Sequence, residues 1–188
     1  MKTTLNKIRT KKPFADGWKK LLAHLSKRKA DDEALSIITI LDSNGLGDAL
    51  WCLRAVENHD REIRLYAVWC ARQVQHLMTD KRSLDALDVA ERFASGLAPD
   101  SALTAAGAAA WAAAGDAAWG ASWAAAWGAA RAASRDAVDA AGAAAWAAAG
   151  DAAWGASWDA AWTAARAAQE KRLREVCAAI AQQNKGTV

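Results

Sequence analysis

Apolar residues recur at helical spacing through the first half of the chain. Trp18, Leu21, Leu22 and Leu25 share one face of GWKKLLAHLSKRK, a segment that Asp16 can cap. Asp31 or Asp32 opens the next segment, where Ala34, Ile37, Ile38 and Leu41 repeat at the same spacing. Ser43-Asn44-Gly45 is a turn signal. Asp48 can cap ALWCLRAVE, and Asp60 can cap REIRLYAVWCARQVQHLM, whose Ile63, Val68, Trp69, Val74 and Leu77 form a broad apolar face. Asp80 begins a further helix with Leu84, Leu87 and Phe93 inward, and Gly96 is its stop. The pattern predicts five short helices joined by short turns, and no run alternates as a strand does.

After Leu97-Ala98-Pro99-Asp100 the pattern changes. Residues 102–168 hold 37 alanines and eight tryptophans. Residues 105–133 match residues 140–168 at 27 of 29 positions, a tandem repeat of period 35; the exceptions are Ala124/Asp159 and Gly128/Thr163. Alanine is the best helix former, so both copies predict helix. Trp119, Trp123 and Trp127 fall at four-residue steps and can share one face; Trp111 points about 160° from Trp127 if one helix carries both. With a cap at Ser134 or Asp136, the expected fold is all-α: a bundle of about five short helices, then two long Ala/Trp-rich helices forming an antiparallel hairpin. The rival arrangement breaks each copy at Gly115-Asp116 and Gly150-Asp151, giving shorter stacked helices. The expected organisation is a flexible basic lead-in (1–12), the bundle (13–98), the tandem array (99–182) and a flexible tail (183–188).

Charge is uneven although the net is only +3: residues 1–29 hold ten Lys/Arg against Asp16 alone. Such an arm steers toward phosphate or an acidic protein, but it lacks the interleaved aromatics that stack bases, so nucleic acid is not the favoured partner. Asp116 interrupts the longest uncharged stretch, which argues against a membrane span. The N-terminus has no apolar signal-peptide run, and Cys52, Cys70 and Cys177 form no CxxC pair, which together predict a cytoplasmic protein with reduced thiols.

The chain carries no HExxH, GxxxxGK[ST] or GxSxG motif, and His24, His59 and His76 sit in different predicted elements. The expectation is no enzyme, no metal and no cofactor. Recognition remains. Under one reading, paired indoles hold a nucleotide-like signal and arginines its phosphate, using Trp119, Trp123, Trp127 and Arg131 with Trp154, Trp158, Trp162 and Arg166. A helix apolar nearly all round also predicts self-association, the chain then acting as a homo-oligomeric scaffold.

KKPFADGWKKLLAHLSK, DDEALSIITILDSNGLGDALWCLRAVE and DREIRLYAVWCARQV, followed by an Ala/Trp array, together resemble a group of immunity proteins of bacterial and phage polymorphic toxin systems. The likeness covers roughly residues 10–175, and DSNGLGDALWCLRAV is its most specific part. It implies a protein that neutralises a toxin or defence protein by binding it, and it supplies no contact residues. The polar residues around the turns of this segment are the candidates for such a surface: Asp42, Asn44, Asp48, Arg54, Asp60, Arg61 and Arg64.

Overall fold

The computed structural model describes residues 1–116, 124–125, 127–129, 131, 137–151 and 156–184. Helices dominate these residues, so the fold is broadly all-α. The chain divides into two compact units, Met1–His59 with Leu173–Val188, and Asp60–Arg172. The division falls elsewhere than the sequence suggested near residue 98, and it assigns the two ends of the chain to one unit.

The first unit starts with a two-residue strand, β1 (Lys2–Thr3), antiparallel to β2 (Leu35–Ser36) with Lys2 opposite Ser36. Helix α1 (Leu5–Thr10) follows, capped by the Thr4 hydroxyl, which accepts from the Lys7 N–H at 3.2 Å. Residues 1–12, expected as a flexible lead-in, are therefore structured: Leu5 and Ile8 are fully buried, and the Thr3 hydroxyl donates to the Ala55 carbonyl at 2.5 Å. Their basic residues alternate with these apolar anchors, which overall charge had masked.

Helix α2 (Ala15–His24) starts after Phe14, with Asp16 in its first turn rather than at the cap. Helix α3 (Ile37–Asn44) is capped by Ser36, not by Asp31 or Asp32. Those acids are engaged locally instead: Asp31 pairs with Lys27, whose ammonium holds its carboxyl below the usual range, and Asp32 accepts from Asn6. Gly45, at φ +94°, makes the sharp turn into α4 (Leu46–Cys52), a backbone conformation few other residues adopt. Asp48 lies inside α4, in its first turn. Leu173, Cys177 and Ile180 complete this unit's buried set from one face of a helix described below.

In the second unit, α5 (Asp60–Arg72) packs on α6 (Lys81–Ala94) and on α8 (Ala137–Asp151), while α6 packs on α7 (Asp100–Asp116). The segment expected as one helix from Asp60 to Met78 ends at Arg72 and continues as a 3-10 turn, Gln75–Leu77. Asp80 caps α6, accepting from the Arg82 N–H at 2.8 Å. Gly96, at φ +73°, ends it, and the Leu97 N–H returns to the Arg92 carbonyl at 2.7 Å. Much of the interior is alanine: Ala86, Ala90, Ala110, Ala140, Ala141 and Ala145 are solvent-free. Small side chains let helices approach closely, and Ala86 of α6 packs with Ala106 and Ala110 of α7.

The last helix, α9 (Ala156–Gln183), contributes its residues up to Arg172 to this unit and those from Leu173 to the first. The Gln169 side-chain amide donates to the Ala141 carbonyl of α8 at 2.8 Å. On a single continuous helix, 28 residues would separate them by about 42 Å. Likewise the rings of Trp111 and Trp127 lie 6.1 Å apart, where one helix would place them about 24 Å apart along its axis. Neither copy of the repeat therefore stands on one straight helix. The residues expected to cap a second long helix, Ser134 and Asp136, lie outside the described residues.

Candidate functional site

The DSNGLGD run closes on itself around α2. The Asn44 amide donates to the Gly17 carbonyl at 2.8 Å and to Asp48 Oδ2 at 2.7 Å, while its own oxygen accepts from the Ser43 hydroxyl at 2.9 Å. A Cβ on Gly17 would come within 2.5 Å of Asp48 Oδ2, so any larger residue there would displace the Asp48 carboxylate from the Asn44 amide. Three helices are held by one asparagine. Asn44 and Asp48, both candidates for partner contact, are thus committed to this clasp. Gly17 was not among the sequence candidates, although ADGWKKLL places a helix-weakening glycine inside a helix, which is a readable sign of close approach.

The other candidates are distributed over both units. Asp42 pairs with Arg174 at 2.7 Å on the surface of the first unit. Arg54 lies over the Trp51 ring, 5.6 Å from its centroid, and Trp51 meets Phe14 at 6.5 Å. Phe14 is 77% exposed, the most exposed large apolar side chain described. Asp60 is the first residue of α5, and Arg61 reaches Glu62 at 3.8 Å. Arg64 stacks on Phe93 at 4.9 Å, fastening α5 to α6. Asp42, Asn44, Asp48 and Arg54 belong to the first unit, and Asp60, Arg61 and Arg64 to the second.

In the array, Arg131 stands 4.8 Å from the centroids of both Trp111 and Trp127, whose rings meet edge to face, and pairs with Asp139 of α8 at 3.4 Å. The rings are not parallel plates, and the guanidinium covers both of them, so this pair does not present the two facing indoles that would sandwich a base. Trp111, read from the sequence as facing away, is part of this cluster. Arg166, the matching residue of the second copy, is surrounded differently. It donates to Gln169 Oε1 at 3.1 Å, and burial lowers its pKa from the ordinary value. Gln169 also links α5, its carbonyl accepting from the buried Tyr66 hydroxyl at 3.1 Å. Trp162 is half-buried in α9. Trp119, Trp123 and Trp154 lie outside the described residues, as does the side chain of Trp158.

Burial pushes the Cys52 and Cys70 thiols up to about 12, so neither is a nucleophile near neutral pH. Among the described residues, no three His, Cys, Asp or Glu side chains are grouped to hold a metal ion, and no helix is long and apolar enough to cross a membrane. The acidic stripe of Asp85, Asp88 and Glu91 is engaged by Lys81 and Arg72. A shallow cavity of about 340 Å³ in the first unit is lined by Met1, Lys2, Ser36, Ile38, Arg174 and Cys177, among others. Comparison with protein-family models, curated proteins and solved structures finds no match to this chain.

Proposed function

We propose that this chain is a non-catalytic binding protein that neutralises a protein partner, a toxin or a defence protein, inside the cell. The observation that supports it is the Gly17–Asn44–Asp48 clasp, which fixes α2, α3 and α4 before any partner arrives. An inhibitor gains affinity when its surface is already ordered, because less conformational entropy is lost on binding. The segment most like immunity proteins is the one so fixed. In this reading the Ala/Trp array is a packed support built from several helices, in place of the hairpin of two long ones.

The test is affinity capture with the full chain in its native host, followed by mass spectrometry of what is retained. The expected result is one protein recovered in near-equal amount, whose toxicity on expression is relieved by co-expression of this chain. Recovery of no protein under several salt conditions would sink the proposal.

A further inference from the structure

We propose that the exposed Phe14–Trp51–Arg54 cluster is the docking point for an acidic segment of the partner, a deepening that rests on the binding-protein reading above. Unless a partner covers it, a 77% exposed phenylalanine leaves most of its apolar surface in water. It sits at the N-cap of α2, three residues before the clasped Gly17, with its ring 6.5 Å from that of Trp51. Arg54 is exposed and covers the Trp51 ring at 5.6 Å. Phenylalanine, tryptophan and arginine are the side chains enriched where interfaces concentrate their energy.

Charge identifies the partner. Lys11 and Lys12 directly precede Pro13-Phe14, and Lys19 and Lys20 follow within α2; all four are exposed and, among the described residues, enter no ion pair. By contrast Lys7 and Lys27 are neutralised by Glu57, Asp31 and Glu33. An apolar anchor flanked along the chain by exposed lysines suits a segment that carries carboxylates around an apolar side chain. A nucleic acid fits less well. Only one ring here is strongly exposed, and successive bases need successive platforms.

The full chain is titrated by fluorescence anisotropy against three labelled probes. They are a 20-residue Asp/Glu-rich peptide carrying Leu and Ile, its Lys-rich counterpart and a 20-nucleotide oligouridine. The acidic peptide is expected to bind, with affinity falling at least tenfold in Phe14→Ala and again in Lys11→Glu/Lys12→Glu, and falling with added salt. All three positions are exposed, so the variants should keep the wild-type melting curve, which circular dichroism checks. No binding of the acidic peptide, equal binding by the variants, or preference for oligouridine would each overturn the proposal. So would a homodimer that dissociates in Phe14→Ala, since a second copy would then be the occupant. A captured partner whose binding survives both variants overturns this surface and leaves the inhibitor reading standing. An acidic peptide that binds through these residues while no partner is captured supports the surface and counts against the inhibitor.

Discussion

The two copies of the 35-residue repeat differ at two of 29 aligned positions, and at both the surroundings differ as well. Ala124 and Gly128 of the first copy are buried, and a Cβ on Gly128 would lie 3.6 Å from the Ala143 Cβ of α8. Their counterparts, Asp159 and Thr163 on α9, are exposed. The pairs are four residues apart, so each marks one helix face. That face is interior in the first copy and exposed to solvent in the second. Repeats that stack bury their shared faces and need polar residues on the outermost one. The differences between the copies match the difference in burial, and the arginines differ too: Arg131 packs against two indoles, while Arg166 holds a buried glutamine.

Exchanging the residues between copies tests this account most severely at Ala124. Ala124→Asp places a carboxylate at a position with 1% exposure and should cost about 3 kcal/mol or more, lowering the melting temperature by roughly 6–12 °C. Asp159→Ala should stay within about 0.5 kcal/mol of wild type. Equal effects in thermal unfolding would break the comparison.

Gly128→Thr should be the next most damaging. Its branched side chain overpacks the contact with α8 for a loss of about 1–3 kcal/mol. Gly128→Ala meets only ordinary van der Waals distances and should be neutral or stabilising by up to about 1 kcal/mol through helix propensity. Urea unfolding of the two variants separates crowding from flexibility.

A smaller effect is expected at Arg131. Arg131→Ala removes two ring contacts and the Asp139 pair, for about 1–2 kcal/mol together with a change in the near-ultraviolet circular dichroism of the indoles. Arg166→Ala should leave that indole signal nearly unchanged, because its described partner is Gln169. Matching spectral changes in both variants would mean that the copies are equivalent after all.

The least change in stability, and the most informative change in assembly, belongs to Asp159→Ala/Thr163→Gly. It gives the exposed face of α9 the apolar character of the interior face. Wild type should remain one species by light scattering as concentration rises, whereas the double variant should gain mass. A wild type that already associates to the same extent would show that the polar pair does not close the array.

Local signals were the legible part of the fold. Asp80, Gly45 and Gly96 act where the sequence placed a cap, a turn and a stop. Each works through hydrogen bonds or backbone angles within a few residues, so neighbours alone specify it. The β1–β2 pair was not legible, because Lys2 meets Ser36 across 34 positions and two residues carry no periodicity. Of the candidate site, Arg54 was found, but its companions Trp51 and Phe14 were not. Nothing in KKPF says that its phenylalanine will stay exposed.

Sequence alone determined the helical class, the position of the alanine array and its duplication, because propensity and repetition are properties of the chain in one dimension. Tertiary structure decided which face of each copy is inside. It brought Trp111 beside Trp127, which a helical wheel places on opposite sides, and it turned Asn44 from a surface candidate into a clasp. The physical reason is that burial belongs to a pair of surfaces. Two nearly identical segments acquire different interiors as soon as one has a neighbour on its far face and the other has water.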